Sequence, residues 1–440
     1  MRSFFRKIIP VGLRRTYGSV CHFIVAVCGA AFYGFPSEKL IVIGITGTKG
    51  KTSTANFIWS ALQNGGIKTG ILTTANIRIG EKELRNDYHM TMLGRSEIQK
   101  YLRQMVSERC KVAVVETTSE GIKQFRHKGI NYDFLVFTNL SPEHLPSHGG
   151  SFEMYKQAKG KIFSSLHKHR HKIIDGRKVD KVIMVNSDDD EKNYFLSFKA
   201  DKKITFGLKE GASVLAENIK AEGFSVSFKV DGSNFDLRLP GVFNVYNALP
   251  AVAIGRFLGV SDEKIANGFK ELATIPGRME VVQKEPFTAI VDYAHEGRSM
   301  EAALLTAKLL SGSHKVIVVL GAEGGGRYKG KRPVMGRVAA ERADFIIVSN
   351  VDAYEDDPRE IAEDIAKSAE SAGAKREETL YVVLDRRLGI RKALSLATGG
   401  DVVIVTGKGA EQTITINGKT LPWDDRVVVR EELNRLKNQP

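Results

Sequence analysis

Only three cysteines and two tryptophans occur in 440 residues, and each scarcity removes a class of protein. Cys21, Cys28 and Cys110 cannot make a disulfide framework or a four-ligand zinc site, which fits a reducing cytoplasm. No zinc-finger spacing and no aromatic RNA-binding signature is present, and the basic residues are dispersed. The net charge of +14 therefore points to anionic partners other than nucleic acid. No apolar run reaches the roughly 20 residues that a spanning helix needs. The nearest is Val20 to Phe35, broken chiefly by His22 and preceded by Arg2, Arg6, Lys7, Arg14 and Arg15. That is the charge layout of a signal peptide, but an apolar strand and a Gly-rich loop follow almost at once. Residues 1–38 are read as a helix packed on the first domain, with an interfacial membrane helix as the alternative.

A hydrophobic content of 42%, 26% charged residues and 42 glycines describe a globular chain with many tight turns. Its length suggests about three domains by a prior of roughly one per 150 residues. From Lys39 to Thr138 apolar strands (Leu40–Ile45, Val112–Val115, Phe134–Thr138) alternate with helical stretches (Thr52–Gln63, Arg95–Glu108), the pattern of a parallel sheet covered by helices. Val182–Asn186 and Ile204–Gly207 read as further strands, and Ser213–Arg238 alternates with period two, as antiparallel strands do. His167 to Lys181 reads as a solvated surface loop. After Pro276-Gly277 a second strand series begins: Ala289–Tyr293, Lys315–Leu320, Phe345–Ser349 and Val402–Thr406. The expected fold is α/β, with a central P-loop ATPase-like parallel-sheet domain over 39–284 and a C-terminal Rossmann-like domain over 285–440.

The strongest local signal is Ile45-Thr46-Gly47-Thr48-Lys49-Gly50-Lys51-Thr52 between a strand and a helix. Such a loop points backbone N–H groups at phosphate oxygens and adds the helix dipole. Lys51 would neutralise the β- and γ-phosphates of ATP, and the Thr52 hydroxyl would ligate Mg²⁺. The strict phosphate-loop pattern fails by one position, because Ile45 stands where its first glycine belongs. One unit later Glu116 ends a strand and so faces the crevice where ligands bind in open parallel sheets. His144, in the run Thr138-Asn139-Leu140-Ser141-Pro142-Glu143-His144-Leu145, could join it at a metal. Taken alone, Lys159 reads as an ordinary surface lysine.

These four segments, Thr-Gly-Thr-x-Gly-Lys-Thr, Glu-x-x-Ser, Thr-Asn-Leu-x-x-x-His-Leu and Ala158-Lys159 to Ile162-Phe163, resemble in order and spacing the central domain of Mur ligases. Gly241 to Ala248 resembles that family's adenine-side segment. Gly277-Arg278-Met279-Glu280, Asp292-Tyr293-Ala294-His295, Lys329 to Pro333, Asp385-Arg386-Arg387 and Gly407-Lys408-Gly409 are similar to motifs of the members that add the third residue of a peptidoglycan precursor. The resemblance covers about residues 39 to 415. It implies an ATP-dependent amide ligase in which Glu116, His144 and a carbamylated Lys159 hold a second Mg²⁺. Thr46 to Thr52 would then bind ATP, Asn247 its adenine, and Arg278, Asp292 and His295 would meet ATP as the C-terminal domain closes. Thr91, Ser119, Gln124 and Arg126 would contact a UDP-muramoyl dipeptide, and Asp352 and Tyr354 would line the site of a free amino acid.

Three departures from the family pattern qualify this. The phosphate loop begins within 46 residues of the start, which leaves no room for the roughly hundred-residue domain with which such ligases hold the uridine nucleotide. The family's Thr-Thr-Pro is Thr91-Met92-Leu93 here. In Asn350 to Pro358, Tyr354 stands where ligases that add meso-diaminopimelate carry an arginine, and a phenol cannot make that bidentate carboxylate pair. L-lysine therefore stays level with diaminopimelate, drawn by Asp352, Glu355 and Asp356. A folylpolyglutamate synthetase-like ligase and a non-catalytic, membrane-associated ATP-binding scaffold are the alternatives.

Overall fold

The computed structural model describes residues 11–84, 86, 90–143 and 145–438. They form two compact units, each discontinuous in sequence. One takes in residues up to 142, 151–215 and 249–265; the other takes in 143–150, 216–248 and 266 onward.

In the first unit, helix α1 (Val11–Phe32) leads into β1 (Ile41–Thr46) and α2 (Lys51–Asn64). Then come β2 (Thr69–Leu72), β3 (Ile77–Ile79), β4 (Lys82–Leu84), α3 (Arg95–Ser107), β5 (Val112–Glu116), α4 (Ser119–Lys123) and β6 (Phe134–Phe137). The unit continues with α5 (Phe152–Leu166), β7 (Val182–Asn186), β8 (Lys202–Gly207) and β9 (Val214–Leu215). One sheet results, in the order β9-β8-β7-β6-β1-β5-β2-β3-β4. Only its β2-β3-β4 edge is antiparallel. The central strands are nearly continuous runs of Val, Ile, Leu and Phe because helices bury both faces. β1 lies between β5 and β6 with Ile45 opposite Glu116 and Thr46 opposite Phe137. The C-terminal ends of all three strands therefore reach one edge together.

Helix α1 packs on this unit through its small residues. Ala26 and Ala30 are buried, and a Cβ on Gly129, which has a left-handed φ of +77°, would come within 2.6 Å of the Ala30 methyl. A Cβ on Gly29 would sit 3.2 Å from Ser96 Oγ at the start of α3. Small side chains here let the backbones approach closely.

Most of His167 to Lys181 is exposed, as its charge suggests, but two of its lysines turn inward. Lys172 and Lys181 are buried, and both ammonium groups converge on Asp133, at 2.5 and 2.9 Å. Asp133 Oδ2 also accepts the Val42 amide at 2.9 Å. Lys172 further donates to the Leu40 and Asn131 carbonyls, and Lys181 to the Tyr132 carbonyl. The cluster thus ties the starts of β1 and β6 to the segment leading into β7. Burial lowers the Lys172 pKa to about 8, against the pull of Asp133.

In the second unit, β10 (Glu217–Glu222), β11 (Ser225–Val230) and β12 (Ser233–Leu237) form the antiparallel meander expected from period-two alternation. Helix α6 (Phe243–Phe257) crosses between the units, and α7 (Asp262–Glu271) brings Phe269 to within 5.8 Å of the Phe235 ring. This apolar packing is why the units do not divide at a single cut near 285. The remainder is β13 (Glu280–Gln283), β14 (Thr288–Val291), α8 (Gly297–Ser311), β15 (Val316–Leu320), α9 (Lys331–Arg342), β16 (Phe345–Val348), α10 (Pro358–Ser371), β17 (Leu380–Val382), α11 (Arg386–Leu396) and β18 (Val402–Val405). Its sheet runs β13-β14-β18-β15-β16-β17, antiparallel only at β13. A hairpin (Thr413–Ile416, Lys419–Pro422) and α12 (Asp425–Lys437) complete it. Arg386 and Asp425 form a buried bidentate pair at 2.6 and 2.8 Å, with Trp423 Nε1 donating to the same carboxylate.

Candidate active site

The loop after β1 is held open by its neighbours, which leaves its inner surface for a ligand. Gly47 has φ +151° and Gly50 φ +85°, and a Cβ at Gly47 would overlap Thr138 Oγ1. Thr48 N donates to the Asn139 carbonyl at 2.8 Å and Lys49 N to Asn139 Oδ1 at 2.9 Å. Thr138 Oγ1 donates to the Lys49 carbonyl at 2.7 Å. The Thr-Asn-Leu segment after β6 therefore acts as a brace for the loop. Gly50 caps α2 without any side-chain bond to its first amides, and the Thr46 hydroxyl is buried with no partner. Uncapped amides at a helix start and an orphaned hydroxyl inside the loop suit a phosphate group.

Around that loop stand Lys51, Thr52, Glu116 and Lys159. Thr52 Oγ1 donates to Glu116 Oε2 at 2.8 Å, and Thr74 donates to the same oxygen through its amide at 2.9 Å. Lys51 Nζ lies 4.0 Å from Glu116 Oε1 and donates to the Gly47 and Thr48 carbonyls at 3.1 and 2.8 Å. Lys159 is only 2% exposed, so it is not the surface lysine that its local sequence suggests. Its ammonium donates to the Gly47 carbonyl at 2.8 Å and sits 4.6 Å from the Tyr155 ring centre. A threonine hydroxyl and a carboxylate in contact, both hard oxygen donors, fit Mg²⁺, which prefers a few protein oxygens plus waters and phosphates. His144 lies outside the described residues.

The residues matched to the acceptor side lie on the same unit. Thr91 is half-buried in the bend before α3. Ser119 opens α4, whose N-cap Thr118 accepts the Gly121 amide at 3.0 Å. Gln124 follows α4, and its Oε1 accepts from Arg126 Nη2 at 2.8 Å.

The second unit brings together Arg278, Asp292 and His295. The Arg278 guanidinium lies 4.2 Å from the Tyr293 ring centre. Asp292 accepts the Met279 and Ala294 amides, both at 2.8 Å, and so fixes the turn that carries the other two. His295 Nδ1 meets the Tyr293 carbonyl at 2.7 Å and Nε2 meets Glu143 Oε1 at 2.8 Å, so each ring nitrogen faces an oxygen acceptor. Asn247 is buried and donates to Asn244 Oδ1 at 3.1 Å.

Asp352 takes Lys408 Nζ at 2.6 Å and the Thr415 amide at 2.7 Å, so its charge is matched within the unit. Burial pushes its pKa up, while Lys408 opposes the shift. Tyr354 adopts a left-handed backbone with φ +54°. Glu323 pairs with Lys331; burial alone would raise its pKa, but that ammonium holds it down at about 2.

Several residues here escaped sequence reading. Glu143 meets His295, and Glu323 pairs with Lys331 of the Lys329 to Pro333 motif. Glu411 accepts both the Tyr293 hydroxyl at 3.0 Å and Lys408 Nζ at 2.9 Å. Their one signal is position, since each lies within a few residues of a recognised motif.

Comparison with known proteins shows the family and the fold. The family model for the Mur ligase middle domain matches residues 45–255, and that for the Mur ligase glutamate ligase domain matches residues 277–409. A UDP-N-acetylmuramoyl-L-alanyl-D-glutamate--2,6-diaminopimelate ligase of Geobacillus kaustophilus is 36% identical over 92% of this chain and 81% of its own length. A UDP-N-acetylmuramyl-tripeptide synthetase of Roseiflexus is 34% identical, over 94% of this chain and 82% of its own. Among solved structures, a diaminopimelate ligase superposes with a TM-score of 0.60 at 25% identity, covering 91% of this chain and 80% of that one. A folylpolyglutamate synthase of Mycobacterium tuberculosis shares the fold, with a TM-score of 0.69 at 18% identity over 95% of this chain and 96% of that one. The chain belongs to the Mur ligase family of ATP-dependent amide ligases.

Proposed function

We propose that this ligase adds the third amino acid, meso-diaminopimelate or L-lysine, to UDP-N-acetylmuramoyl-L-Ala-D-Glu in peptidoglycan precursor synthesis, in the cytoplasm. The single observation that carries the reading is the buried convergence of Lys51, Thr52, Glu116 and Lys159 on one phosphate loop. The names of the relatives support the acceptor.

In the proposed reaction an oxygen of the acceptor's carboxylate attacks the γ-phosphorus of ATP, the bond to the β-phosphate oxygen breaks, and ADP leaves. The amine of the incoming amino acid then attacks the acyl carbon, inorganic phosphate leaves, and the nitrogen loses a proton. Little covalent work falls to the protein, whose task is alignment and neutralisation of charge. Lys51 neutralises the phosphates, the loop amides orient them, and Arg278, Asp292 and His295 serve ATP from the second unit. Bound Mg²⁺ would neutralise charge on the transferring phosphoryl group. Thr52 and Glu116 would hold one ion, and Glu116, His144 and carbamylated Lys159 a second. Ser119, Gln124 and Arg126, with Thr91, hold the acceptor, and Asp352 and Tyr354 lie at the amino acid site.

Glu116→Gln is expected to raise the Mg²⁺ concentration for half-maximal rate about tenfold or more, since a neutral amide is a poorer ligand for a hard cation. A Mg²⁺ titration checks this, and an unchanged midpoint removes Glu116 from the metal site. A carbamate carbonyl signal in protein incubated with carbon-13 bicarbonate, absent in Lys159→Ala, tests the carbamate.

Peripheral membrane contact through α1 is part of the proposal. Among the described residues no helix is long and apolar enough to cross a membrane. Cys21, Ile24, Val25, Cys28 and Phe32 nevertheless form one exposed stripe along α1. Five basic residues precede it, and the first acidic residue of the chain is Glu38. This is the composition of an interfacial helix on an anionic surface. Ile24→Asp together with Phe32→Asp should abolish sedimentation with phosphatidylglycerol vesicles. Equal sedimentation of the double variant and the parent would refute it.

A further inference from the structure

Beside α1 stand two guanidinium groups that, among the described residues, form no ion pair. Arg95 opens α3 and donates through Nε to the Gln124 carbonyl at 2.9 Å. Arg126 donates to Gln124 Oε1 at 2.8 Å and meets the Met92 carbonyl and Met90 Sδ. Arg95 Nη2 and Arg126 Nε are buried atoms with no hydrogen-bond partner. Glu97 and Glu120 are the acidic groups that face this pair, and among the described residues no carboxylate forms an ion pair with either arginine. Helix α1 closes over the same place. Its Phe23 ring meets the Phe125 ring edge-on at 6.2 Å, and its Gly29 lies against Ser96. His22, next to Phe23, is a further titratable base near them. Burial first, and then the charges of Arg95 and Arg126, depress its pKa.

We propose that Arg95 and Arg126, with His22 brought alongside them by helix α1, form a binding site for a phosphoryl group. One guanidinium fork already matches one carboxylate. Two forks with no carboxylate bonded to them, plus an imidazole, suit a phosphoryl group with two or more free oxygens and a negative charge. Arg126 enters the Mur pattern as an acceptor contact, but Arg95 and His22 have no place in it. The inference rests on the proposed function for one source of the phosphoryl group, the diphosphate of the acceptor's nucleotide. The other source is a lipid headgroup, since the outer stripe of the same helix is apolar. On either, helix α1 carries part of the anion recognition.

The test measures binding without turnover on the full chain, with ADP present to occupy the phosphate loop. Calorimetry reads affinity for UDP-muramoyl-L-Ala-D-Glu, and sedimentation reads affinity for phosphatidylglycerol vesicles. Arg95→Ala and His22→Asp are compared with the parent, and thermal melting checks folding. His22→Asp alters an exposed residue, which keeps the test informative if Arg95→Ala does not fold. Acceptor affinity lowered about tenfold or more by both variants supports a site for the nucleotide diphosphate. Vesicle affinity lowered instead, with acceptor affinity unchanged, supports a site for the headgroup phosphate. Folded variants equal to the parent in both arms, including no binding by any of them, overturn the proposal. If the parent binds vesicles but not the acceptor, the proposed function fails while the headgroup form of the site stands or falls on the vesicle arm.

Discussion

Replacing Lys51 with alanine is expected to lower kcat/KM for ATP by at least about 100-fold, the scale on which removal of one well-placed charge donor acts at a transition state. Its ammonium sits within the loop, bonded to the Gly47 and Thr48 carbonyls and 4.0 Å from Glu116. A bound triphosphate would draw it to the β- and γ-oxygens. The alanine variant should keep its melting temperature, since the ammonium lies at a half-buried position at the edge of the loop. Arginine at 51 should not restore the rate, because its planar fork does not match the compact lysine ammonium among the loop carbonyls. Steady-state kinetics with varied ATP checks this. A rate within about threefold of the parent would mean that phosphate charge is neutralised elsewhere.

The largest effect on stability is expected from Asp133→Ala. Asp133 is fully buried and pairs with the ammonium groups of both Lys172 and Lys181, while also holding the Val42 amide. Its removal leaves two buried cations without that counter-charge, and breaking a buried pair in this way costs about 3–5 kcal/mol. For a unit of this size the melting temperature should fall by roughly 6–20 °C. Asp133→Asn keeps an acceptor but not the charge and should fall between. A scan in which Asp133→Ala melts within about 2 °C of the parent would show that both lysines reach water instead.

These two residues also mark what the sequence discloses and what it conceals. The strands read from apolar runs fall within one or two residues of those runs, because burial on both faces leaves an unbroken signature, whereas the edge strands left none. The phosphate loop is legible because its chemistry is local, with glycines, lysine and threonine set between a strand and a helix. Lys159 is not legible in this way. Its burial depends on the Gly47 carbonyl, 112 residues away in sequence. The same holds for Lys172 and Lys181 on Asp133, and for His295 on Glu143, 152 residues apart. Charge in a window of sequence predicts solvent unless a distant partner is known. Resemblance to the Mur pattern supplied the role of Lys159 before any local property did. It could not supply Arg95 or His22, which lie outside its motifs.

The central claim is the reaction, and its most direct test is phosphate release from ATP by the full chain with UDP-muramoyl-L-Ala-D-Glu. Lysine, meso-diaminopimelate and glutamate are added in separate reactions. Release that requires both the dipeptide acceptor and one of the two diamino acids is the predicted result, and it identifies the third residue. Release with glutamate alone, or none with any amine despite bound ATP, would contradict the account.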